Sequence, residues 1–207
     1  PLKLRGMDKI DILENSLKKA GFEGDFDDSP ATLDLFSHDA SMFELRPTLV
    51  VAPKNTKDVE RLVKETAIRK KDNPNLSLTA RSAGTDMSGG AINDSIIVDF
   101  KKYFVKEKKV TKSSAHAQPG VFYRDFEPLT LAQGGLMPSY PASRDLCTIG
   151  GMVSNNSGGE KSLEYGKTEK YVSQLEFVFA DGIARIVKPL SKAELDKKMK
   201  QKDFEGE

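Results

Sequence analysis

Between Arg81 and Gly90 the chain runs Arg-Ser-Ala-Gly-Thr-Asp-Met-Ser-Gly-Gly, directly after Leu76-Ser77-Leu78-Thr79-Ala80, whose alternation reads as a strand. With so little side-chain bulk, successive peptide N–H groups can converge on an anion as a nest. A second small-residue segment, Thr148-Ile-Gly-Gly-Met-Val-Ser-Asn-Asn-Ser-Gly-Gly159, carries two Gly-Gly pairs that permit close approach of backbone to a ligand. Either segment alone is compatible with a glycine-rich turn. Two of them, framed by strands, point to a ligand with two phosphates.

Neither segment is a standard phosphate motif. A Walker loop needs Lys and then Ser or Thr after its second glycine, whereas Gly84 to Gly89 is followed by Gly90 and Ala91. The dinucleotide spacing G-x-G-x-x-G is not met by Gly84, Gly89 and Gly90 either.

Composition narrows the partner. The 207 residues are 38% hydrophobic, sufficient for an ordinary core, and 32 basic against 31 acidic residues leave a net charge of +1. Such a balance removes the electrostatic case for nucleic acid or a polybasic membrane anchor and favours small ligands. The single cysteine, Cys147, excludes an internal disulfide framework, and no Cys/His cluster has the ligand count of a structural zinc site. No run of roughly 18 apolar residues and no signal-peptide pattern is present, so a soluble, cytoplasmic protein without a membrane span is expected. The chain opens on Pro1 and ends in a charged run, and the expectation is a piece of something longer.

The elements that position the two segments follow from periodicity. Ile10, Leu13 and Leu17 define one face of a helix over Met7–Ala20, ended by Gly21, and Glu23–Pro30 reads as an acidic linker or surface loop. Leu49-Val50-Val51 is an apolar strand, and Thr56 is placed to cap a helix whose Val59, Leu62, Val63 and Ala67 share a face. Ile96-Ile97-Val98 is a further strand. From Val110 the chain reads as irregular and extended, and a helix is expected from Val121 to Leu131, ended or kinked by Pro128. Val172–Ala180 and Ile183–Val187 flank Asp181-Gly182 as a hairpin, and Ser191 with Glu194 forms a capping box opening a helix from Lys192 to about Lys200. No internal repeat is evident.

In several ordered pieces the chain is similar to the FAD-linked oxidases of the vanillyl-alcohol oxidase type, with a PCMH-type FAD-binding domain, and particularly to their D-lactate dehydrogenase and glycolate oxidase branch. The pieces are Ser37-His38-Asp39-Ala40-Ser41 leading to Arg46-Pro47; Val50-Val51-Ala52-Pro53 with Asp58-Val59; the Arg81–Gly90 loop; Ile97-Val98-Asp99-Phe100; and Gln118-Pro119-Gly120-Val121. Cys147 through Gly151, Asn156 through Gly159, Tyr165-Gly166-Lys167-Thr168 and Ala180-Asp181-Gly182 complete the set, which covers Phe36 to Val187.

The resemblance implies an α+β fold of two α+β subdomains, incomplete at its C-terminus. It divides the chain into an N-terminal helix and linker (1–35), a first FAD-binding subdomain (36–109), a partial second one (110–190) and a charged C-terminal helix (191–207). By the same resemblance Arg81, Ser82, Ala83, Gly84 and Thr85 hold the FAD pyrophosphate through main-chain N–H groups, Asp86 belongs to the same cradle, and Ser82, Thr85 and Ser88 add hydroxyls. Thr148, Gly150, Gly151, Ser154 and Asn156 line the other side of the flavin, and Pro138, Ser139 and Asp145 shape the approach to it. Some relatives tether flavin to a histidine at the position of Thr85, whose hydroxyl cannot form that bond, so FAD is expected to be non-covalent. Others use a cysteine near Cys147; here it lies three residues before Gly150 and is read as a small semi-buried thiol.

Other polar residues take structural readings. His38 and His116 are the only histidines and have no nucleophile elbow or second metal ligand nearby. Arg144 beside Asp145 reads as an exposed ion pair, and Lys106–Lys112 as a solvated edge.

The implied activity is oxidation of a 2-hydroxy acid such as D-lactate or glycolate to the 2-oxo acid, in a protein whose substrate domain follows the flavin domain and whose electron acceptor is unknown. Catalytic residues are not assigned. Two alternatives stand beside it: a flavin reductase that makes UDP-N-acetylmuramate, disfavoured by Ser37–Pro47, and a non-catalytic FAD-binding scaffold or electron-transfer subunit.

Overall fold

The computed structural model describes residues 2–206. A helix α1 (Leu2–Lys19) leads to a short strand β1 (Asp25–Asp27), a one-and-a-half-turn helix α2 (Pro30–Leu35), strand β2 (Leu49–Ala52), helix α3 (Thr56–Arg69), and strands β3 (Leu78–Arg81) and β4 (Ile96–Asp99). These four strands form one sheet in the order β1-β2-β4-β3. β4 sits between β2 and β3 and runs parallel to both, and β1 closes the edge antiparallel to β2.

Side-chain alternation explains how the sheet is covered on both faces. Leu49, Val51, Ile96 and Val98 point to one face and join Leu13 and Leu17 of α1 and Leu62 of α3. Val50 and Ile97 point to the other and meet Leu33 and Phe36. Burying each such side chain stabilises the fold by roughly 1.5–3 kcal/mol, so the helices are held to the sheet chiefly by these contacts. The acidic stretch expected as a linker instead supplies β1, and Tyr103 Oη donates to Asp25 Oδ2 at 2.5 Å. α3 is capped by Asn55, whose side chain accepts from the Asp58 amide at 3.0 Å, rather than by Thr56, which is already its first residue.

The rest of the chain builds on a second core of Val121, Tyr123, Phe126, Tyr140, Cys147 and Met152. It comprises a β5 (Glu107–Val110) and β6 (Ala115–Ala117) ribbon, where irregular chain was expected, then helices α4 (Tyr123–Ala132), α5 (Ile149–Ser154) and α6 (Ser162–Tyr165). Of the Lys106–Lys112 run, the side chains at 107 and 108 lie outside the described residues. Pro128 neither ends nor interrupts α4, which continues to Ala132 while Tyr123 and Phe126 anchor its buried face.

A single 3₁₀ turn (Thr168–Tyr171) precedes the hairpin of β7 (Leu175–Val178) and β8 (Ala184–Val187). A final helix α7 (Lys192–Lys198) opens with the expected Ser191–Glu194 capping box. The hairpin leans on α3 through Ala184 N, which donates to Glu60 Oε1 at 2.8 Å. No helix among the described residues is long and apolar enough to cross a membrane.

Candidate functional site

The first small-residue loop leaves β3 and folds over its own arginine. The Arg81 guanidinium lies beneath it, donating to the carbonyls of Phe36 (3.1 Å) and Ala91 (3.3 Å) and stacking on the Phe36 ring. Burial pushes this guanidinium below its ordinary pKa, against the charges of Asp39 and Asp99, which raise it. Gly84 crosses directly above at φ +68°, and a Cβ there would stand 2.7 Å from Arg81 Nη2. On its other side the loop carbonyls of Gly84 and Asp86 accept from the Ala40 amide at 3.0 and 3.1 Å, which docks the Ser37–Ser41 segment against it.

The loop's donors are partitioned sharply. Asp86 Oδ2 accepts from the Ser88 amide (3.1 Å), the Ser88 hydroxyl (2.8 Å) and the Gly90 amide (2.6 Å). Among the described residues, the consecutive amides of Ala83, Gly84, Thr85, Asp86 and Met87 donate to no protein acceptor, and the hydroxyls of Ser82 and Thr85 also have no protein partner. A row of unpaired N–H groups on a side-chain-poor turn is what an anionic ligand with several acceptor oxygens requires. The hydroxyl of Ser88, expected to reach the ligand, is instead engaged by Asp86.

The second segment is built differently from the open ribbon expected. Thr148 caps α5, its Oγ1 accepting from the Gly151 amide at 3.2 Å, and the helix absorbs Ile149 to Ser154. Many of its amides are already paired: Ile149 with Val121 O, Gly150 with Pro119 O, Asn155 with Gly151 O, Ser157 with Met152 O, and Gly159 with Ser162 Oγ, whereas the Gly158 amide has no protein acceptor among the described residues. Gly150 is small because Pro119 is close: an added Cβ would lie 2.4 Å from Pro119 Cβ. Close packing of protein on protein, rather than of backbone on ligand, accounts for that glycine, and the second segment has fewer unpaired amides than the first.

The two segments do meet. Asn155 Nδ2 donates to Asp86 Oδ1 at 3.2 Å, across 69 positions of sequence. Between them lies a cleft of about 480 Å³ lined by Asp86, Asn155, Asn156, Ser157, Gly158, Gly159, Ser162 and Lys167. Of the residues singled out from sequence, Asp86 and Asn156 line this cleft, and Ser82 to Thr85 continue the same loop beside it. Gly150, Gly151 and Ser154 belong to α5. Asn156, at φ +45°, is pinned by Glu169, donating to its Oε2 at 2.6 Å and accepting from its amide at 3.0 Å.

Ser139 and Thr148 are essentially inaccessible, at 0% and 1% exposed, and so present no surface to a ligand in this conformation. Ser139 Oγ accepts from Thr168, whose hydroxyl also reaches Ser157 O, so it supports the second segment from behind. Pro138 is buried beside it, and Asp145 lies on the surface, its carbonyl held by Arg124 at 2.5 Å. Arg144 pairs with Glu127 of α4, at 2.5 Å, not with Asp145, and stacks on Tyr140. His38 faces Glu44 at 3.6 Å. Cys147 is 3% exposed, and burial pushes its thiol up to about 11.

Six of the eight lining residues, Asn155, Ser157, Gly158, Gly159, Ser162 and Lys167, have no individual site role in the sequence reading. Asn155 lies within an Asn-Asn pair with no signal of its own, and Lys167 lies within the Tyr165–Thr168 piece of the family resemblance. Among the described residues Lys167 has no carboxylate within ion-pair distance, so it is the cation that the cleft presents.

Residues 47–188 match the family model of the FAD binding domain. This chain belongs to that PCMH-type FAD-binding family. It is 32% identical over 176 residues to glycolate oxidase subunit GlcD of Bacillus subtilis (strain 168), an alignment covering 83% of the chain and 36% of the relative. It is 28% identical over 175 residues to D-2-hydroxyglutarate dehydrogenase of Haemophilus influenzae, covering 84% of the chain and 17% of the relative. D-lactate dehydrogenase of Archaeoglobus fulgidus is 29% identical over 136 residues, or 65% of the chain and 29% of that protein.

The chain therefore spans about a third or less of the length of these relatives. Among solved structures, chitooligosaccharide oxidase superposes with a TM-score of 0.70 at 16% identity, over 88% of this chain and 38% of that one. Carbohydrate oxidase from Microdochium nivale gives 0.69 at 20% identity, over the same 88% and 38%. These two establish the fold alone. The motif-based resemblance and the α+β architecture agree with both comparisons.

FAD is the cofactor of this family, and the chain's donors suit it. A dinucleotide's pyrophosphate is rich in acceptors, and the amides from Ala83 to Met87 are unpaired donors beside a polar cleft.

Proposed function

We propose that this chain is the FAD-binding part of a flavin-dependent oxidoreductase that oxidises a small 2-hydroxy acid, such as D-lactate, glycolate or D-2-hydroxyglutarate, to the 2-oxo acid. The unbroken row of free amides in the first loop carries the reading. These amides and the Ser82 and Thr85 hydroxyls hold the pyrophosphate, with Lys167 as its counter-charge. Gly150, Gly151, Ser154 and Asn156 support the flavin side, Pro138, Ser139, Asp145 and Thr148 acting behind them. When bound, FAD supplies a hydride acceptor at N5. The 2-hydroxy acid gives up the C2 hydride and the hydroxyl proton, and a substrate domain of the whole protein supplies the base for that proton.

The cofactor is held without a covalent bond. Thr85 offers no imidazole, and Cys147 is sealed in the second core with its Sγ directed at the Arg144 carbonyl.

The test is to purify the whole protein and examine its flavin. The expected result is a yellow protein whose FAD is released into solution on heating and is bleached anaerobically by one of the three hydroxy acids. A colourless protein unable to take up FAD refutes the cofactor assignment. Flavin that stays oxidised with every hydroxy acid refutes the activity and leaves an FAD-binding scaffold.

A further inference from the structure

Asp86 is an unexpected residue to find in a loop that binds an anion, because an ionised carboxylate beside a diphosphate is repulsive. Its geometry resolves the contradiction. The two oxygens accept four hydrogen bonds, from Ser88 N, Ser88 Oγ and Gly90 N on its own loop and from Asn155 Nδ2 on the facing segment. The charge is thus stabilised by donors that cannot also serve the ligand. The same contacts hold Ser88 and Gly90 on the carboxylate, and the preceding amides have no protein acceptor.

We propose that Asp86 is a positioning residue, a latch that preorganises the amide row from Ala83 to Met87 for a diphosphate by tying the first loop to itself and to Asn155. The inference rests on the FAD reading above and adds the device that shapes its phosphate subsite. A segment this rich in small residues has many conformations in isolation, and a ligand that had to order it would bind more weakly. Asp86 does the ordering before the ligand arrives. Gly90 N is the largest of the influences that hold the carboxyl below the usual carboxylate range, in keeping with an acceptor that remains ionised.

Titrations of wild type, Asp86→Ala, Asp86→Asn and Asn155→Ala with FAD, ADP and riboflavin test the latch. ADP carries the diphosphate without the flavin, and riboflavin the flavin without the diphosphate. The expected result is a Kd for FAD and ADP raised about tenfold in Asp86→Ala, the effect of losing charge-assisted hydrogen bonds from the loop, with riboflavin unchanged. Asp86→Asn, which retains one acceptor oxygen, falls between, and Asn155→Ala shifts FAD and ADP in the same direction by less.

Amide exchange in the ligand-free protein gives a second readout: Ser88 and Gly90 exchange faster in Asp86→Ala. FAD and ADP affinities within twofold of wild type, equal weakening of riboflavin, or unaltered exchange at Ser88 and Gly90 would each overturn the latch while leaving the FAD reading intact. Wild-type protein that takes up neither FAD nor ADP overturns that reading and the proposal with it.

Discussion

Three glycine-to-alanine substitutions separate backbone strain from steric conflict. Gly134 has φ +77° with nothing within 4 Å of an added Cβ, so Gly134→Ala carries only the left-handed penalty, roughly 1–2 kcal/mol. Gly150 has no positive φ, and alanine is intrinsically the better helix former by about 1 kcal/mol. Its Cβ would nevertheless lie 2.4 Å from Pro119 Cβ and 2.8 Å from Pro119 O, and the Gly150 N to Pro119 O bond of 2.9 Å fixes that separation. Overpacking of this kind costs about 1–3 kcal/mol, so any net loss in Gly150→Ala reports the clash.

Gly84→Ala combines both effects: a left-handed residue, and a Cβ 2.7 Å from an Arg81 guanidinium that cannot swing away without leaving the Phe36 and Ala91 carbonyls. Adding about 1.5–3 kcal/mol for a displaced charged hydrogen bond to the strain gives about 2.5–5 kcal/mol. At about 2–4 °C per kcal/mol for a chain of this size, the expected fall in Tm is roughly 5–20 °C, against about 2–8 °C for Gly134→Ala. Thermal melts by circular dichroism measure both, and flavin-fluorescence titration should show Gly84→Ala weakening FAD where Gly134→Ala does not. Melting of Gly84→Ala within about 2 °C of Gly134→Ala would refute the packing of the loop on Arg81.

Two further outcomes follow from the same structure. The Cys147 thiol, buried and raised to about 11, should resist a thiol reagent at pH 8 in the native protein and react fully in denaturant; rapid native labelling would contradict its burial. Glu60 is held below its ordinary pKa first by Lys57 and then by the Ala184 amide, so its link to the β7–β8 hairpin is intact above about pH 4.5 and is lost as pH falls through the lowered folded value. Exchange of the Ala184 amide, extrapolated for its intrinsic pH dependence, should lose protection in acid, and Glu60→Gln should remove that pH response; identical profiles would count against the contact.

Local patterns were legible wherever one periodicity dominated. The apolar strands at Leu49 and Ile96, the Leu13–Leu17 face, the Asp181-Gly182 hairpin and the Ser191–Glu194 capping box depend on residues within a few positions of each other, and all appear in the structure. The three-residue β1 was not legible, because its pairing partner is β2, more than 20 positions away, and its own acidic sequence carries no strand signal. Pro128 was misleading for a related reason: the buried anchors Tyr123 and Phe126 hold α4 across a proline that would end an isolated helix.

For the site, composition and motif order already carry the chemistry on offer: a side-chain-poor loop after a strand, rich in amide donors, in a motif order belonging to FAD-binding proteins. Tertiary structure decided which of those donors are free. Two stretches that look equally bare differ in fact, since Thr148 and Pro119 draw much of the second into a paired helix while five amides of the first have no protein acceptor. Hydrogen-bond donors are counted by composition, but whether each is satisfied depends on which acceptor the fold brings within 3 Å, and Asn155, Pro119 and Arg81 reach their partners only through long-range packing.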